Sequence, residues 1–295
     1  SNVGKVYWLK VFHIPLAGRN SRGRPMVNLL PLEEGERVTS ILPVEDYLEN
    51  HYIFMATANG TVKKTALTDF ARPRSVGLCA LELDEGDVLV GTAITGGDCD
   101  VMLFSSEGKA VRFREGDVRA MGRTARGVRG IRLGEGHQMI SLIIPEPGGR
   151  VLTVSENGYG KRTELDEFPV KGRGNMGVIA MSTSERNGRL VGAIQVFDGD
   201  ELMLISNQGT LVRTRADEVS VLGRNTQGVR VIRTKPDETL VGVERVDEPD
   251  ASVDAIDEEG ATAPQGAAPT GVDTAADADA GGEDSNEPGG EDPAP

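Results

Sequence analysis

Short apolar runs, separated by turns that carry glycine, recur along most of the chain. Residues 101–104 are apolar, 105–108 supply turn residues and 110–113 resume as a strand, which predicts a hairpin. After a loop around Gly122 and Gly127, a third strand is predicted over 128–133. Residues 134–136 then turn the chain, and a fourth strand is predicted over 139–144. Sustained helical periodicity of about 3.6 residues is absent, so the pattern predicts an all-β fold.

The four-strand pattern repeats. One set of glycines is Gly4, Gly60, Gly108, Gly158 and Gly209, and a second set is Gly23, Gly77, Gly127, Gly177 and Gly228. Within a unit the two lie 19 residues apart, or 17 in the second unit, and units follow one another at about 50 residues. Four-stranded units at that period predict a propeller-type ring, in which each unit buries its faces against its neighbours. The chain begins almost on Gly4 with no strand before it, which predicts an incomplete, N-terminally truncated first blade and missing sequence upstream. The predicted boundaries are a repeat domain over 1–246 and an acidic tail over 247–295.

The 38 glycines fit many tight turns, and aromatics are only 4% of the chain. The net charge of −14 would argue against a polyanionic partner, but it is unevenly placed. Residues 247–295 hold 15 of the 46 acids and no Lys or Arg, leaving 31 acids against 32 bases in the body. With no aromatic residue, the tail is expected to be disordered. Its acids, Asp254, Asp257, Glu258 and Glu259 among them, are expected to compete with a polyanion for basic sites.

Two columns of the repeat carry cations. Four residues after the first glycine stand Trp8, Lys64, Arg112, Arg162 and Arg213. Four residues before the second stand Arg19, Pro73, Arg123, Arg173 and Arg224, with Arg72 and Arg74 flanking the proline. Arg22, Arg24, Lys63, Lys109, Arg126, Arg129, Lys161, Lys171 and Arg230 lie close by. Around a ring these columns predict bands of positive charge, matched to a phosphate backbone without reading bases. The scarcity of aromatics in the loops favours duplex over single strands. A protein-binding propeller is the rival reading, and it predicts apolar or aromatic residues in the loops.

No Gly-x-x-x-x-Gly-Lys-Ser/Thr, His-Glu-x-x-His or Gly-x-Ser-x-Gly element is present, so no catalytic residue is assigned. Cys79 and Cys99 are too far apart for a Cys-x-x-Cys pair, and no metal site is legible. Without a signal peptide or an apolar run near 20 residues, the sequence reads as cytoplasmic with no membrane partner.

Residues 58–65 (Ala-Asn-Gly-Thr-Val-Lys-Lys-Thr), 127–133, 157–163, 223–229 and 22–25 resemble the C-terminal domain of the DNA gyrase A subunit, in order and spacing. The resemblance implies a six-bladed β-pinwheel whose basic rim binds, bends and wraps duplex DNA. It further implies a place in an A2B2 holoenzyme, beside the remainder of the A subunit and the gyrase B subunit. That holoenzyme is a type II topoisomerase that introduces negative supercoils with ATP and Mg2+. No cofactor is implied in this domain, and the DNA-cleaving tyrosine is implied to lie elsewhere than Tyr7, Tyr47, Tyr52 or Tyr159. The Gln-Arg-Arg-Gly-Gly-Lys-Gly box of that family is absent here and expected upstream. The equivalent domain of topoisomerase IV is the near alternative, disfavoured by the regular glycine spacing.

Overall fold

Alternate residues of a strand face opposite sides of its sheet, and in this protein both sides are buried. In the computed structural model, which describes residues 1–17 and 21–246, Ile53 and Met55 of the strand Tyr52–Thr57 enter one core cluster with Leu67, Phe70 and Leu81. Phe54 and Ala56 of the same strand enter another, with Leu103, Val111, Phe113 and Ile131. The strand Asp100–Ser105 does the same one repeat later: Val101 and Leu103 join the second cluster, whereas Met102 and Phe104 join a third with Val151, Phe168 and Met181. Leu152 and Val154 then pass to a fourth cluster with Leu202, Leu204 and Leu240. The inner strands Tyr52–Thr57, Asp100–Ser105 and Arg150–Ser155 therefore each sit between two cores, which is why they are buried continuously rather than on alternate residues. Glu201–Ser206, by contrast, is buried on alternate residues and feeds one core. Full burial stabilises by about 1.5–3 kcal/mol per large apolar side chain, so neighbouring repeats depend on each other for stability.

Among the described residues the strands form five sheets. The first pairs Lys5–Val6 with Leu78–Cys79. The second has the order Leu89–Thr95, Tyr52–Thr57, Thr61–Ala66, Val128–Arg129. The third runs Met139–Ile143, Asp100–Ser105, Lys109–Arg114, Val178–Ile179, and the fourth Leu190–Val196, Arg150–Ser155, Tyr159–Glu164, Val229–Arg230. The fifth is three-stranded, Leu240–Val246, Glu201–Ser206, Leu211–Arg215. All named pairings are antiparallel. This is the all-β, propeller-like arrangement of four-stranded repeats that the sequence predicts.

One expectation is corrected. The third strand of a repeat is short, Val128–Arg129 rather than 128–133, and it does not complete its own sheet. Thr61 pairs with Arg129 and Val62 with Val128, so the strand closes the sheet of the preceding repeat. Val178–Ile179 and Val229–Arg230 are handed back in the same way, to Lys109–Arg114 and Tyr159–Glu164. The sheets are thus tied by exchanged strands as well as by stacked cores.

The first glycine set explains how the exchange is accommodated. Gly108 has φ +84°, and a Cβ there would lie 2.2 Å from the carbonyl oxygen of Met181. Its own carbonyl accepts hydrogen bonds from Ala180 and Met181 at 2.8 and 3.0 Å. Gly4, Gly60 and Gly158 accept from the following repeat in the same way. A side chain at any of these positions would push the exchanged strand away.

Candidate nucleic-acid interface

The first cationic column does not form a free band. Lys64 Nζ lies 3.5 Å from Glu115 Oε1 of the next repeat and 4.8 Å from the Tyr52 ring centroid. Arg112 pairs with Asp100 at 2.7 Å and donates to the carbonyl oxygens of Leu165 and Phe168 in the next repeat. Arg162 contacts Asp198 and Asp217 and donates to the Val219 carbonyl. Arg213 pairs with Glu201 of its own hairpin. The backbone joins in, because Met121, Lys171 and Leu222 donate their N–H groups to the carbonyls of Lys64, Arg112 and Arg162. The expectation of a positive band is corrected for this column: carboxylates neutralise it, and Lys64, Arg112 and Arg162 pin each repeat to the next. Trp8 takes the place of a cation in the first repeat, packs on the core and donates to Tyr47 Oη at 2.7 Å.

The second column is different. Arg123, Arg173 and Arg224 ride on loops that begin where those backbone bonds end, and no ion pair holds any of them among the described residues. Arg173 is fastened without losing its charge, since Nε donates to the Asp117 carbonyl at 3.0 Å and a terminal nitrogen to that of Arg129 at 3.0 Å. Arg224 donates to the Ile179 carbonyl at 3.0 Å. A guanidinium bound only to carbonyls keeps its full charge and its outward N–H groups for an anion. Arg22, Arg24, Arg72, Arg74 and Lys171 are exposed on equivalent segments. Arg126 is exposed but bridged to Glu82 and Asp84 at 3.0 and 2.9 Å, and Lys109 is bridged to Glu107 at 2.8 Å. Arg19 lies outside the described residues.

Lys63 and Lys161 are not at the surface at all; both are 0% exposed. Lys63 Nζ donates to the carbonyls of Ala80, at 2.7 Å, and Arg123. Lys161 Nζ donates to those of Gly223 and Arg224, each at 2.6 Å, and to Thr226 Oγ1 at 3.2 Å. Burial pulls both ammonium groups down to about 8. The expectation that these two lysines lie on a basic surface is therefore corrected: both are buried and hold the loops that carry Arg123 and Arg224.

The exchanged strands contribute a further set. Arg129 and Arg230 are exposed at their ends. Arg230 donates to Tyr159 Oη at 2.9 Å, and Arg186 donates to the same oxygen at 3.2 Å. Both guanidinium carbons lie over the ring, 5.2 and 5.0 Å from its centroid. Hydrogen bonds from Arg186 and Arg230 draw the Tyr159 phenol below its ordinary value. Arg186 belongs to no repeat column, so spacing alone did not reveal it. No helix among the described residues is long and apolar enough to cross a membrane.

A family model described as the DNA gyrase C-terminal domain, beta-propeller, matches residues 1–45, 51–95, 100–146, 149–196 and 200–247. These five segments coincide with the five repeats read from glycine spacing. The chain is 59% identical over 259 residues to the DNA gyrase A subunit of Salmonella typhimurium, covering 87% of this chain and 30% of the relative. It is 56% identical to that of Escherichia coli K12, again over 87% of the chain and 30% of the relative. The chain thus spans under a third of the length of these curated relatives. Among solved structures it resembles a DNA gyrase A C-terminal domain with a TM-score of 0.72 at 28% identity, covering 83% of this chain and 80% of that one. The C-terminal domain of a DNA topoisomerase IV shares the fold, with a TM-score of 0.79 at 24% identity over 88% and 82% of the two chains. The fold is common to both enzymes, but the sequence sides with gyrase: the chain belongs to the DNA gyrase C-terminal domain family of β-propeller repeats.

Proposed function

We propose that this chain binds duplex DNA through the phosphate backbone, without sequence preference, and bends it along the outer loops and exchanged strands. The observation that carries this reading is the recurrence of Arg123, Arg173 and Arg224 in one loop frame, none of the three guanidinium groups in an ion pair among the described residues and two of them fastened by carbonyls. Arg129, Arg186 and Arg230 extend the set on the exchanged strands and beside them. Bending 20–30 base pairs by 40–90° costs on the order of 1–6 kcal/mol, so a wrap needs phosphate contacts from several repeats. Arginines recurring once per repeat supply them. Base readout needs side chains in a groove, and no recognition helix occurs among the described residues.

In the larger protein, the wrapped segment would be presented to the cleaving part of the A subunit, with the gyrase B subunit in an A2B2 assembly. ATP and Mg2+ serve that assembly and not this domain, and the setting is cytoplasmic. The likeness to gyrase A subunits supports this placement.

Two unrelated duplexes of equal length distinguish the readings in a gel-shift titration at low salt. Equal shifts, with closer ends by energy transfer in the complex, support DNA bending. Absence of a shift for both leaves a protein-binding propeller as the reading.

A further inference from the structure

Two buried lysines of this domain have no carboxylate partner. Lys63 and Lys161 occupy the same place in the second and fourth sheets, three residues after Gly60 and Gly158, and both are 0% exposed. Neither forms an ion pair among the described residues; their protons go to backbone carbonyls and, for Lys161, also to Thr226 Oγ1, and in both cases to the carbonyl of the loop arginine, Arg123 or Arg224. A buried charge without a counter-ion is costly. The third sheet has Val111 at this place, 2% exposed, and there the loop is fastened by the Arg173 side chain instead. Ammonium groups therefore stand under two of the three loops that carry a free arginine, and hydrogen-bond to the residue that carries it.

We propose that Lys63 and Lys161 are positioning residues for DNA: each holds the loop that presents Arg123 or Arg224, and its uncompensated charge is balanced when a phosphate docks over that loop. The proposal rests on the DNA-binding reading and adds a linkage to it. Lys63 is faced by Cys79 from the exchanged strand, Asp69 from the turn Leu67–Phe70 and Arg123 from the loop. Lys161 is faced by Glu167 from the turn Leu165–Glu167 and Arg224 from the loop. A docked anion favours the protonated amine, so DNA raises both groups from their depressed values. Above about pH 8 the free protein has lost part of this charge, so binding takes up protons and affinity falls as pH rises. One unit of difference between free and bound states corresponds to about tenfold in affinity per lysine.

The test is duplex affinity of the 295-residue chain at constant salt between about pH 7 and 9.5, repeated in Cys79→Ser because that thiol faces Lys63. Calorimetry in two buffers of different ionisation enthalpy measures proton uptake on the unsubstituted protein, so the result does not depend on a variant that folds. A fall of about threefold or more per lysine, with uptake of up to about two protons near pH 8.5, is expected. Lys63→Met with Lys161→Met is expected to bind more weakly at pH 7 and to lose the pH dependence, whereas Arg173→Ala keeps it. Binding at pH 7 with no proton uptake near pH 8.5 overturns the lysine proposal and leaves DNA binding intact. No binding at pH 7 and low salt overturns both.

Discussion

Arg162 Nε donates a 2.8 Å hydrogen bond to the carbonyl oxygen of Val219 in the following repeat. Its terminal nitrogen reaches Asp198 and Asp217 at 3.1 and 3.4 Å. The guanidinium is nearly buried, and its removal strands a buried carbonyl, so Arg162→Ala is expected to destabilise by about 2 kcal/mol. Urea unfolding measures it. The folded variant is expected to keep the salt dependence of DNA binding; a flattened slope would mean that Arg162 touches phosphate.

Gly108 and Gly116 offer a paired comparison. A Cβ at Gly108 meets the Met181 carbonyl at 2.2 Å on a backbone of φ +84°, whereas one at Gly116 meets nothing within 4 Å. Gly108→Ala is expected to cost about 2 kcal/mol or more, from strain and a displaced exchanged strand, and Gly116→Ala less than about 0.5 kcal/mol. Thermal melts of the two variants check the difference. Equal melting temperatures would contradict the strand exchange.

Arg186 and Arg230 share Tyr159 Oη and have no carboxylate partner among the described residues. The double substitution to Ala is expected to reduce the slope of log affinity against log salt by about two units, near 0.9 for each phosphate no longer neutralised. Tyr159→Phe keeps both cations and is expected to weaken binding only a few-fold, with the slope unchanged.

Cys99 donates its thiol to Glu115 Oε2 at 3.0 Å, and burial together with this carboxylate pushes it up to about 12. At pH 8.5 iodoacetamide is expected to label exposed Cys79 much faster than Cys99, read by peptide mass. Because the folded value lies above the unfolded one, stability contributed by this thiol is full below about pH 8.5 and lost as pH rises toward 12. Equal labelling rates would mean that the Cys99–Glu115 bond does not persist in solution.

The repeat was legible because its glycines answer a geometric demand. Gly60, Gly108 and Gly158 combine positive φ with a carbonyl where Cβ would stand, and no other residue type fits. The strand exchange was not legible, since Val128 and Arg129 look the same in the sequence whether they pair with their own repeat or the preceding one. For Lys64, Arg112 and Arg162 the column was visible but the neutralising acids were not, because Glu115, Asp100 and Asp198 fall at unequal offsets along the chain. Burial of Lys63 and Lys161 does have a signal in the sequence: the same place holds Val111 and Val212 in the neighbouring repeats, and a position shared by Lys and Val is seldom on the surface. Arg186 has none, because the equivalent turns of the two preceding repeats hold acids, Glu85 and Glu135, rather than a recurring cation. The expectations for Arg19 and for residues 247–295 lie outside the described residues.

The most direct test of phosphate binding by the repeat loops is the salt dependence of duplex affinity for the unsubstituted chain and for Arg123→Ala, Arg173→Ala and Arg224→Ala combined. The unsubstituted protein is expected to lose affinity linearly in log–log form, and the triple variant to show a slope flatter by about two to three units on any duplex sequence. An unchanged slope in a folded triple variant would contradict it.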